Sequence, residues 1–168
     1  MKKFILTLAI VVSFVGVIKA QADGKTIGLR LGYPTEISFQ TGLSNANRLE
    51  LGLGFRTYNY GNGYNYTQFS LSGVYQWVWD LKALADGFNW YAGAGASLGY
   101  YSFSYLNTSG YPIAILGQVG IEYNFAELPL RLSLDYRPAL QLTGARNGFL
   151  GNGFIGDGIA LGIRYRLK

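Results

Sequence analysis

The chain has 168 residues, enough for one domain, with 24 glycines and 14 tyrosines but neither cysteine nor histidine. Disulfides and thiolate metal sites are therefore excluded, as is any mechanism that needs an imidazole. Charged residues make up 14%, well under the roughly 25% of an ordinary soluble domain. The net charge of +5 owes three units to Lys2, Lys3 and Lys19, and the remaining +2 is too weak to argue for nucleic acid.

Met1–Ala22 has the layout of a secretory signal. Lys2 and Lys3 precede the apolar run Phe4–Ile18, and Ala20-Gln21-Ala22 supplies an A-x-A cleavage pattern. The run is 15 residues, short of the about 20 that a membrane-spanning helix needs. Cleavage after Ala22, or alternatively after Ala20, leaves one domain, taken as 23–168.

The mature chain is then read as strands in order, because successive strand side chains point to opposite faces. Lys25–Tyr33 sets Ile27, Leu29 and Leu31 against Gly28, Arg30 and Gly32, and Tyr33-Pro34-Thr35 breaks it. Glu36–Thr41 sets Ile37 and Phe39 against Glu36, Ser38 and Gln40. Arg48–Arg56 sets Leu49, Leu51, Leu53 and Phe55 against Arg48, Glu50, Gly52, Gly54 and Arg56. A loop of Tyr, Asn and Gly over 57–65 leads into Tyr66–Trp79, then a turn over Asp80–Gly87, then Phe88–Ser102. A second polar-aromatic loop covers 103–111.

Ile113–Pro138 holds the clearest alternation. Ile113, Ile115, Val119, Ile121, Tyr123 and Phe125 share one parity, and Leu130, Leu132, Leu134 and Tyr136 share the apolar parity of the next strand. Ala126-Glu127-Leu128-Pro129 turns between them. Ala139–Gly153 is read as a third loop, and Gly158–Lys168 closes the chain. Eight strands result, an even count that lets the first pair with the last and remove both edges. The fold class is all-β, an eight-stranded antiparallel up-and-down barrel.

Every strand has one apolar face and one face of charges and glycine. The second face carries Arg30, Glu36, Arg48, Glu50, Arg56, Glu122, Arg131, Asp135, Arg137, Arg164 and Arg166, seven arginines against four acids. A soluble sandwich turns the charges to water; a membrane barrel turns them inward. Three features favour the membrane barrel. Glycines on the charged face make room inside a narrow barrel. Trp77, Trp79, Trp90 and Tyr91 flank one turn, as an interfacial aromatic girdle does. The loops at one end are mostly longer than those at the other.

The segments LRLGYPTEISFQ (29–40), FNWYAGAGASLG (88–99), GQVGIEYNFAELPLRLSLDYRPAL (117–140) and GIALGIRYRL (158–167) resemble a set of small outer-membrane β-barrel proteins of Bacteroidota. The resemblance implies an eight-stranded outer-membrane barrel and no settled activity. The terminal Tyr165-Arg166-Leu167-Lys168 departs from the aromatic last residue that barrel-insertion machinery often reads.

Without histidine, the usual base of barrel lipases and proteases is missing. No catalytic, cofactor or metal site is expected. Unpaired charges in a narrow barrel are costly, so the inward charges are expected to pair into a structural plug. Tyr58, Tyr60, Tyr64 and Tyr66, spaced by Asn and Gly, form a candidate contact surface on the outer loops, since tyrosine offers large area at low entropy cost. The expectation is an exported, monomeric, non-enzymatic barrel in contact with outer-membrane lipid and lipopolysaccharide, with a structural or surface-contact role. The alternatives are a narrow channel for small solutes, weakly anion-selective through its excess of arginine, and a soluble lipocalin-like binder of apolar ligands.

Overall fold

A computed structural model describes residues 24–59, 65–81, 83–104, 107–143 and 153–167. The proposed signal segment, Tyr60 and Tyr64 lie outside the described residues.

The strands are β1 Lys25–Gly32, β2 Thr35–Gly42, β3 Asn47–Asn59, β4 Asn65–Asp80, β5 Phe88–Phe103, β6 Thr108–Gly110, β7 Ile113–Asn124, β8 Leu130–Tyr136, β9 Ala139–Thr143, β10 Phe154–Ile155 and β11 Ile159–Leu167. Each pairs antiparallel with its neighbour, and β1 pairs with β11 from Lys25 opposite Leu167 to Gly32 opposite Ala160. The sheet is therefore closed, with eight strands around the wall. The remaining three are short: β6, β9 and β10 carry β7, β8 and β11 further along the wall.

The interruptions have local causes. Pro112 and Pro138 cannot donate to a ladder, yet their carbonyls keep the pairing alive: Gly99 N–H donates to Pro112 O at 2.9 Å and Gly117 N–H to Pro138 O at 3.0 Å. The expected loop at Ala139–Gly153 is corrected at its start, because Ala139–Thr143 is strand paired with β7. Leu140 and Leu142 continue the outward apolar parity there.

The wall is uneven in height. β4 and β5 have 16 residues each and β1 and β2 have 8. By register the long pair runs past β2 at both ends, by Trp77–Asp80 beyond Gly42 and by Asn65–Gln68 beyond Thr35, the latter at the end opposite the start of β1. That end is called distal below, and the end where β1 begins and β11 finishes proximal.

The alternation resolves as apolar out and polar in. Leu53, Ile159 and Leu98 are 61%, 63% and 59% exposed, whereas Arg30, Arg164, Ser38 and Gln76 have no exposure at all. A lipocalin-like apolar interior is thereby overturned. What apolar packing the lumen has is small: Val74 with Ala114 and Leu116, and Val78 with Tyr91. Inward glycines leave space for long neighbours. A Cβ on Gly120 would lie 2.6 Å from Tyr91 Cζ and 2.7 Å from Asp135 Cβ.

Candidate functional site

The lumen is crossed by ion pairs between distant strands. Even positions of β3 place Arg48 and Glu50 inside, near the proximal end. Arg48 Nη1 donates to Glu122 Oε1 at 3.0 Å, its Nη2 lies 2.7 Å from Oε2, and its guanidinium sits 4.8 Å over the Tyr91 ring. Glu50 collects five partners: Arg137 Nη2 at 2.7 Å, Arg164 Nη2 at 3.2 Å, the Gln40 and Gln76 amides at 2.7 Å each and the Ser38 hydroxyl at 3.3 Å. Nearer the distal end, Arg30 Nε donates to Asp135 Oδ1 at 2.9 Å, and Arg137 Nη1 donates to Glu36 Oε2 at 2.6 Å. Arg131 donates to Asn124 and Gln40 and lies 3.8 Å from Glu122. Charge-assisted bonds of this length are the strong ones.

The count of seven arginines and four acids needs correction. Arg56 and Arg166 sit at the two ends instead of within the network. Arg56 pairs at 3.2 Å with Asp157 at the distal mouth. Arg166 Nη2 donates to the Phe125 and Leu128 carbonyls at 2.6 and 2.7 Å, holding the proximal turn. Asp80, expected to start a turn, is the last residue of β4 and is buried facing Asn89. Among the described residues the buried charges are thus five arginines (30, 48, 131, 137 and 164) and five acids (36, 50, 80, 122 and 135). The buried network is neutral and has no excess of arginine to favour anions.

Tyr91 is also corrected. It is fully buried and donates its hydroxyl to Asp135 Oδ2 at 3.2 Å. It follows Trp90 by one residue, so it points the opposite way. Trp79 and Trp90 stack outside at 4.3 Å with an interplanar angle of 16°, and Trp77 packs edge-on to Tyr75. The rings that extend this belt around the proximal end are Phe88, Tyr123 and Phe125, with centroids 4.8 Å apart in sequence. Their apolar parity was visible in the alternation; their closeness to the tryptophans required the register.

Tyr58 and Tyr66 are strand residues facing each other on β3 and β4. Both share parity with the inward side chains. With Tyr33 and Tyr101 they form a ladder of rings on the inner side of the distal rim, at 5.0, 6.2 and 5.9 Å. Arg56 lies beneath, 5.2 Å from the Tyr33 ring, and Tyr58 Oη donates to Asp157 Oδ2 at 3.3 Å. Beyond the outward apolar run of β3, which ends at Phe55, burial pushes the Tyr58 phenol above its ordinary value; Arg56 opposes the rise and Asp157 adds to it. The hydroxyl therefore stays protonated and donates.

Between this rim and the ion pairs lies a cavity of about 60 Å3. The described residues contain no group of three or more acidic side chains placed to hold a metal.

No family model and no curated protein matches the chain. A crystal structure of neisserial surface protein A (NspA) is similar in fold, with a TM-score of 0.59 at 14% identity over 86% of this chain and 94% of that one. At that identity the likeness speaks for architecture alone: this chain is an eight-stranded antiparallel barrel of the kind that crosses membranes with its strands.

Proposed function

We propose that the protein is a non-enzymatic outer-membrane barrel whose role is envelope structure or contact at the cell surface. The observation that carries this reading is the filled lumen. Among the described residues ten buried charges, balanced in sign, lie in a barrel whose width holds little more than its own side chains. An outward apolar belt with a cluster of tryptophans on β4 and β5, extended by Phe88, Tyr123 and Phe125, at one end suits a bilayer. NspA, as its name says, is a surface protein, which agrees with this location. The signal-like Met1–Ala22 and the Bacteroidota-type strand motifs support export to the outer membrane, with lipid and lipopolysaccharide as neighbours and the insertion machinery as the route. The contact surface is the aromatic ladder of the distal rim, not loop tips alone.

Two measurements test the reading. Fractionation with a heat-modifiability gel should place the chain in membranes with a heat-shifted mobility; a soluble, unshifted chain would overturn it. In planar bilayers the folded barrel should show no steady opening. A steady ohmic conductance would transfer the role to a solute channel.

A further inference from the structure

The cavity below the distal rim has a charged side and an apolar side, with the hydroxyls of Ser70, Ser72 and Ser97 on β4 and β5 between them. β1, β2 and β3 bring Arg30, Glu36 and Arg56, joined by Arg137 and Asp157, while β7, β9 and β10 bring Ala114, Leu116, Ala139 and Ile155. The charged side holds three arginines and two carboxylates, and behind it Arg30 also reaches Asp135 and Arg137 also reaches Glu50, so what distinguishes the side is unspent N–H groups and not net charge. Each guanidinium spends part of itself on an acid, yet among the described residues Arg30 Nη1, Arg56 Nε and Arg137 Nε are buried with no hydrogen-bond acceptor. Arg56 is the nearest of them to the mouth, and its side chain is only 10% exposed. A buried cationic N–H without an acceptor is unfavourable, and an anion is the group that relieves several at once.

Size and the second side narrow the class. A volume of about 60 Å3, on a scale where one water takes about 10–15 Å3, admits a small organic ion and excludes a lipid chain or a sugar. A bare inorganic anion would leave the alanine, leucine and isoleucine surface facing nothing it can satisfy. A planar carboxylate matches the guanidinium fork, and a short alkyl tail matches the opposite side. From this we infer that the distal cavity binds a short-chain monocarboxylate of about two to four carbons, its carboxylate on the arginine N–H groups and its tail against Ala114, Leu116 and Ile155. The site does not depend on which membrane holds the barrel or on whether the lumen conducts.

The test is calorimetric titration of the full-length barrel, folded in detergent at fixed ionic strength, with sodium butyrate, sodium chloride and 1-butanol. Butyrate should bind saturably at a single site, and chloride and butanol should not. Arg56→Gln should weaken butyrate about tenfold or more, the loss of one charge-assisted hydrogen bond. Ala139→Leu, which fills the apolar side, should do the same. Heat-shifted gel mobility shows that each variant is folded, and either folded variant suffices. Absence of saturable butyrate binding overturns the inference, as does unchanged binding by the folded variants. Equal binding of chloride would reduce the site to one for bare anions, and equal binding of butanol to an apolar hole; both also overturn it.

Discussion

Replacing Glu50 with glutamine removes a negative charge and almost no volume, so it isolates the electrostatic part of the plug. The native carboxylate is fully buried and takes Arg137 at 2.7 Å and Arg164 at 3.2 Å. Arg137 retains Glu36 at 2.6 Å. Arg164 does not fare as well: its other side-chain partners among the described residues are the Ser38 and Ser133 hydroxyls, at 3.0 and 2.7 Å. The variant thus leaves one fully buried guanidinium without a carboxylate partner among the described residues. Breaking a buried ion pair from one side costs about 3–5 kcal/mol. The Gln40 and Gln76 amides that donated to Glu50 can still donate to the new amide oxygen, so they add about 1 kcal/mol at most. Adding Arg164→Met removes the stranded charge, and the double variant should recover at least about 2 kcal/mol of the loss. The assay is equilibrium urea unfolding of the barrel in lipid vesicles, read from the fraction with folded mobility on an unheated gel. A single variant within about 1 kcal/mol of the parent, or a double variant whose loss equals the sum of the singles, would refute the view that these charges hold the barrel together.

The remaining predictions concern the walls and ends. Gly120→Val should impair folding, at about 1–3 kcal/mol or more, because its Cβ would meet Tyr91 and Asp135 within 2.7 Å; Gly117→Ala, whose nearest neighbour is Pro138 Cγ at 3.6 Å, should fold normally on the same gel. Arg166→Ala frees the Phe125 and Leu128 carbonyls and should lose about 1.5–3 kcal/mol, with faster proteolysis at the 125–129 turn; an unchanged cleavage rate would deny Arg166 its role there. All three tryptophans, Trp77, Trp79 and Trp90, lie on the outward face, so brominated lipid should quench most of the fluorescence of the reconstituted barrel. Retained emission would mean the apolar belt is not in lipid.

Strand identity and the direction of nearly every side chain were legible from alternation, since side-chain parity is a covalent property of an extended chain. The glycine-rich charged face and the absence of charge on the other face were enough to say that an inside and an outside exist. Parity also contained the true position of Tyr91, one residue from Trp90, but proximity to the tryptophans was the misleading signal. Asp80 was missed because its place in the lumen depends on β4 running one residue past Trp79 before the turn.

Alternation alone determined that this chain is a string of two-faced strands able to close with the charges within. It could not say which charge meets which. Arg30 and Asp135 are 105 positions apart and Arg48 and Glu122 are 74 apart, and they meet only because closure and stagger bring those strands across a common lumen. The same geometry moved Arg56 and Arg166 to the ends, cancelled the apparent excess of arginine, and set three guanidinium groups around one small cavity. Those are distances across the barrel, and a pattern that repeats every two residues along one strand carries no information about them.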